Sequence, residues 1–168
     1  MRRALLVVLA AGAVFSLLYL SAWGDKKGFV GKAAPEVALA SSLNSAGKPS
    51  LSDLRGKVVL LEFWATWCPP CRASIPHLQR LHDTYSKKGL VVLSVTDEDL
   101  GTVREFVLDH KMTFPVGIDD NARTMTTYGI QSIPAAFLID TAGNIIWQGH
   151  TMQLTEQQVE AALKAVRA

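Results

Sequence analysis

Val58-Val59-Leu60-Leu61-Glu62-Phe63-Trp64-Ala65-Thr66-Trp67-Cys68-Pro69-Pro70-Cys71-Arg72 passes from an apolar run to the only two cysteines of the chain. Its first seven residues are apolar on both alternating faces except at Glu62, the pattern of a central parallel strand covered by helices on each side. From Pro69 the pattern turns helical, with Ile75, Leu78 and Leu81 at spacings of three, and runs to about Ser86 before Gly89 stops it. Pro69 suits a first helical position, where its missing N–H is no loss. Pro76 falls inside and predicts a kink.

Downstream, Leu90 to Val95 reads as a second buried strand, and Val103, Phe106 and Val107 mark a helix ending near Lys111. Phe114 to Ile118 is a short third strand, followed by a short helix over Asn121 to Thr127. Ala135 to Ile139 and Asn144 to Gln148 form an antiparallel hairpin about the turn at Asp140-Thr141-Ala142-Gly143. Thr155 and Gln158 make a capping-box pattern for a last helix whose apolar stripe is Val159, Leu163 and Val166. Upstream, Val37 to Ala40 is a short strand, and Ser50 to Leu54 a turn or short helix. Alternating strands and helices that close on a hairpin and a helix define an α/β sandwich, parallel on one side and antiparallel on the other.

At the N-terminus, Arg2 and Arg3 precede twenty uncharged residues, Ala4 to Trp23, enough for a helix to cross the ~30 Å hydrocarbon core. The arginines keep residues 1–3 cytoplasmic and export the rest, with Tyr19 and Trp23 at the outer interface. A signal anchor over 4–23 is therefore expected, and a cleaved signal peptide is the alternative. Residues 24–34, with Gly24, Gly28 and Gly31 among Asp25, Lys26 and Lys27, read as a linker to a domain over 35–168. Outside the leader, 15 Lys and Arg balance 15 Asp and Glu, so no nucleic-acid footprint is present.

Three chemistries use a Cys-x-x-Cys. Haem attachment needs His after the second cysteine, and Arg72 stands there. A structural zinc would have to recruit His77 and His82, but on a helix His77 lies about 240° around from Cys71 and His82 about 16 Å further along. No metal site is expected, and those histidines, with His110 and His150, read as surface residues. Dithiol-disulfide exchange remains. At a helix N-terminus the dipole and free N–H groups favour thiolate, which makes Cys68 the nucleophile. Cys71, one turn further in, is the shielded thiol that resolves the mixed disulfide.

The stretch Phe63 to Arg72 resembles thioredoxin-like proteins, most closely the membrane-anchored extracytoplasmic TlpA/ResA-like thiol-disulfide reductases. Gly56-Lys57 before the central strand, Tyr128-Gly129-Ile130 before Ile133-Pro134, and Asp140 with Gly143 in the closing hairpin extend the resemblance from about Pro35 to the C-terminus. It implies a thioredoxin-like fold, a central mixed sheet flanked by helices, with an N-terminal extension and one transmembrane helix. It also implies a cis bond before Pro134, packed beside the cysteines, with the backbone of Ile133 pairing to substrate. Trp64 and Trp67 would flank the site, and Trp67, Pro69, Pro70, Ile133 and Pro134 form the expected substrate contacts.

Glu62 matches the buried acid of thioredoxins. Burial should raise its pKa, and it is expected to relay a proton to or from Cys71; a structural carboxylate paired with Lys57 or a water is the alternative. Many relatives carry an acid three residues after the second cysteine, where this chain has Ser74. Pro69 and Pro70 remove two backbone donors, so thiolate stabilisation at Cys68 should be moderate, which argues for a reductase. No cofactor beyond the Cys68-Cys71 couple is expected. The resemblance implies partners such as apocytochrome c or other disulfide-bearing envelope proteins. A transmembrane dithiol donor would re-reduce the enzyme in an oxidising compartment. A thiol oxidase or isomerase would share every residue named, and a copper-binding metallochaperone could use the same dithiol.

Overall fold

The computed structural model describes residues 28–165. The predicted leader, 1–3 and 4–23, the first part of the predicted linker, and Val166 lie outside the described residues. Six strands form one sheet: β1 (Leu39–Leu43), β2 (Val58–Phe63), β3 (Leu90–Thr96), β4 (Val116–Asp119), β5 (Ala135–Ile139) and β6 (Ile145–Gly149). Four helices accompany them: α1 (Pro69–Tyr85), α2 (Leu100–Asp109), α3 (Arg123–Thr127) and α4 (Glu156–Ala165). The strand order is β1-β4-β3-β2-β5-β6. β2 and β3 run parallel, as do β3 and β4, while β2–β5, β5–β6 and β1–β4 are antiparallel. The sheet is mixed, with β2 inside it, as the apolar run predicts.

Every residue of β2 is buried because both faces of the sheet are covered. Val58 and Leu60 face Ile75, Leu78 and Leu81 of α1, together with Val103 and Val107 of α2 and Val159 and Leu163 of α4. Val59, Leu61 and Phe63 face the other way, against Tyr128 and Phe137. Helix α1 runs continuously through Pro76. The capping box of α4 forms as its sequence suggests: Gln158 N–H donates to Thr155 Oγ1 at 3.3 Å, and Thr155 N–H to Gln158 Oε1 at 2.9 Å.

The start of the domain differs from the expectation. Residues 28–34, with their glycines and lysine, have the composition of a linker, yet they strap the free edge of β6. Gly31 N–H donates to Ile145 O, Ile145 N–H to Lys32 O, and Ala34 N–H to Gly143 O, each at 2.8 Å. Phe29 supplies the apolar anchor, stacking on Tyr128 and meeting Phe137 edge-on at centroid distances of 5.6 and 5.8 Å. The strap covers backbone groups that an exposed edge strand would leave unpaired. Beyond it, Tyr128 Oη donates to Pro35 O at 2.6 Å.

Candidate active site

The turn from β2 into α1 sets the cysteines. Cys68 is the N-cap of α1, in an extended conformation, and is disulfide-bonded to Cys71 one turn inside. An N-cap normally serves the amides of the second and third helical residues. Here Pro69 and Pro70 occupy the first two positions, so the first amide available is that of Cys71, which donates to Cys68 Sγ at 3.3 Å. The Arg72 amide is spent on Cys68 O at 3.1 Å. Among the described residues the sulfur therefore has one backbone donor.

The pair is sunk rather than displayed. Cys68 is 3% and Cys71 1% exposed, while neighbouring Trp67 is 70% exposed. Trp64 turns inward and packs on Phe106 at 5.4 Å. Arg72 lies over the same ring at 5.9 Å. Pro69 and Pro70 are exposed. Across from the pair, the Ile133–Pro134 bond is cis, as the resemblance implies, and Ile133 O stands 3.9 Å from Cys68 Sγ. Pro134 is buried and Ile133 half-buried. The structure thus brings together Cys68, Cys71, Trp67, Pro69, Pro70, Ile133 and Pro134.

Glu62 shares the β2 face of Val58 and Leu60, which looks toward α1 and the cysteines. It is 1% exposed, and burial pushes its pKa up to about 8 against a smaller opposing effect from its hydrogen bond. That bond comes from Ser94 Oγ, which donates to Glu62 Oε2 at 2.7 Å. Oε1 has no partner. The carboxyl is therefore held by a serine on β3, neither by Lys57 nor by a second acid. Ser74 is buried and donates to Cys71 O at 2.7 Å.

A second carboxylate escaped the sequence reading. Glu98 accepts Thr66 N–H at 2.7 Å, Thr66 Oγ1–H at 2.6 Å and Thr96 Oγ1–H at 3.1 Å, tying the loop before Cys68 to the end of β3. Its only signal was an acid cluster, Asp97-Glu98-Asp99, after a buried strand. Within that cluster Asp99 has a different task, capping α2 by accepting Thr102 N–H at 2.9 Å. His150 is exposed, as expected of a surface residue, whereas His77 is half-buried, and both make hydrogen bonds. His77 Nε2 bonds Leu154 O at 3.0 Å, and His150 Nδ1 accepts Met152 N–H at 3.3 Å, capping the 3-10 turn Thr151–Gln153.

A disulfide at the head of a helix, on this sheet and opposite a cis-proline loop, belongs to one class of protein, the thioredoxin-like thiol-disulfide oxidoreductases. The chain belongs to the AhpC/TSA family, whose model matches residues 30–148, and it is a ResA-type protein disulfide oxidoreductase. The thiol-disulfide oxidoreductase ResA of Bacillus thuringiensis (strain Al Hakam) is 35% identical over 166 residues, 98% of this chain and 94% of the relative. ResA of Geobacillus kaustophilus is 34% identical, over 99% of this chain and 95% of its own length. A crystal structure from Chlorobium tepidum, assigned as a thiol:disulfide interchange protein DsbE, superimposes with a TM-score of 0.73 at 35% identity. That match covers 82% of this chain and 99% of the other.

Proposed function

We propose that the chain is an extracytoplasmic reductase, tethered by a signal anchor over 4–23, that reduces disulfides of envelope proteins such as the oxidised haem-binding cysteines of apocytochrome c. The observation that carries the direction is the single amide donor at Cys68 Sγ. Strong oxidants stabilise their reduced form heavily, and a helix start with two prolines offers less of that stabilisation. The anchor rests on the uncharged run behind Arg2 and Arg3.

In the cycle, the Cys68 thiolate attacks one client sulfur and the other leaves as thiolate. Cys71 loses its proton to Glu62 and attacks Cys68 Sγ; the second client thiolate departs and the Cys68–Cys71 disulfide forms. Two electrons have passed to the client. A dithiol donor in the membrane reverses the steps on the enzyme, attacking Cys68 Sγ, and the departing Cys71 thiolate recovers its proton from Glu62. A carboxyl with a pKa of about 8 holds and gives up that proton near neutral pH. No other cofactor enters. Trp67, Pro69, Pro70, Ile133 and Pro134 form the client surface, with Ile133 offering its backbone to an extended client segment.

Trapping tests the reading. In the full chain, Cys71→Ser leaves Cys68 unable to be resolved, and clients stay disulfide-linked to it in the cell envelope. Recovery of apocytochromes is the expected result. Recovery only of unrelated oxidised proteins would replace the dedicated role with a general one.

A further inference from the structure

The strap on β6 has a direction. Phe29 N–H donates to the side chain of Gln148 at 2.6 Å, Gly31 lies at Ile145, Ala33 bridges Asn144 and Ala34 reaches Gly143. The chain therefore enters at the Gly149 end of β6 and travels toward the Asp140–Gly143 turn. Gly149 pairs with Ala136, and the next residue, Ala135, pairs with Phe63, the end of β2 that leads to Cys68. Entry is at the end of the sheet that carries the disulfide.

We propose that this entry holds the disulfide-bearing rim toward the bilayer, so that redox partners meet it at the membrane surface. The proposal rests on residues 4–23 being a retained anchor. Four residues, 24–27, separate that segment from Gly28, and four residues span at most about 14 Å even when fully extended. The domain cannot swing freely on so short a tether, because its first described residues are fixed. Phe29 is clamped by Tyr128 and Phe137, and Gly28 lies so close to Gln148 that a Cβ would come within 2.8 Å of its Nε2.

Two further observations agree. Phe29 lines a groove of about 470 Å³ that Ser132, Pro134 and His150 also line, so the entering chain and the cis-proline loop share one surface feature. Among the described residues five large apolar side chains are exposed, and three of them, Val30, Trp67 and Met152, belong to the strap entry, the loop before Cys68 and the turn after β6. Entry at the opposite turn would instead have left the disulfide further from the bilayer by the length of β5, about 17 Å for five residues.

Full-length protein in vesicles of phosphatidylcholine and phosphatidylglycerol, some lipids carrying a headgroup-chelated nickel ion, tests the orientation. A nitroxide amino acid is placed by codon suppression at exposed Gln131, beside the cis-proline loop, or at exposed Ala142, in the far turn. Relaxation by nickel several-fold stronger at Gln131 is expected, and a flexible Gly-Ser insert of about 30 residues between Lys27 and Gly28 should abolish the difference. Equal or reversed relaxation in protein that floats with the vesicles overturns the orientation alone, as does a difference that survives the insert. Protein that does not float overturns the anchor and the orientation with it.

Discussion

Ser94 Oγ donates to Glu62 Oε2 at 2.7 Å from the residue directly paired with Glu62 across parallel strands β2 and β3. This one bond is the only hydrogen bond to the carboxyl among the described residues, and the pKa stays raised because one bond does not offset complete burial. The sign of the resulting pH dependence is fixed. Folded Glu62 binds its proton up to about pH 8, whereas in the unfolded chain it ionises near its ordinary 4.5. Between those values unfolding releases a proton, so the contribution of Glu62 is fully favourable below about 4.5 and is lost as pH rises toward 8.

Glu62→Gln removes that dependence. The variant should be more stable than the parent at pH 8, by a few kcal/mol, and should show a flatter decline from pH 5 upward in urea titrations. Release of the mixed disulfide should slow in the same variant. Parallel stability profiles for the two proteins would show that Glu62 is ionised within the fold.

Ser94→Ala withdraws the group that lowers the Glu62 pKa. The pH at which the oxidised protein loses the Glu62 proton should move further upward, as followed by carboxyl infrared absorption across a pH series. An unchanged midpoint would mean that Ser94 does not set it.

Trp64 and Trp67 should separate cleanly. Trp64 is 1% exposed, and Trp64→Ala should cost about 3–5 kcal/mol in chemical denaturation. Trp67→Ala should leave stability within about 0.5 kcal/mol yet weaken reduction of protein disulfides, while a small aromatic disulfide is reduced at the parental rate. Equal losses with both substrates would place the role of Trp67 in the thiol chemistry rather than in client contact.

Glu98→Ala leaves the Thr66 amide and hydroxyl without their acceptor. A loss of about 1–3 kcal/mol is expected. Hydrogen exchange should accelerate at Thr66 well before it does in β3, which local loosening predicts and global destabilisation does not.

A chain starting at Pro35 lacks the strap. It should be less stable than one starting at Gly28 by at least the roughly 2 kcal/mol expected for loss of the Phe29 ring, measured in urea. Equal midpoints would make residues 28–34 mere linker after all.

What the sequence made legible follows from range. The β2–α1 junction, the hairpin about Asp140 and the α4 cap are local, and each is written in a few adjacent residues. Glu62 stood out because a charge in a buried run breaks a pattern. Its partner did not, since a serine in an apolar strand carries no mark of what it faces and Ser94 lies 32 positions away. Glu98 was hidden in the same way, as one of three acids in a row. Phe29 was missed because its surroundings are glycine and lysine, and its partners Tyr128 and Phe137 lie in the distant half of the chain.

The depth of the disulfide bears on timing. With Cys68 only 3% exposed beside a protruding Trp67, a disulfide locked inside a finished globule cannot be brought to the sulfur. A slack stretch of client chain, under the proposed function, can. Under the proposed function the enzyme is in this sense a clock as well as a catalyst: it would act on a client while that polypeptide is still unfolded, and the client's own folding would end the opportunity.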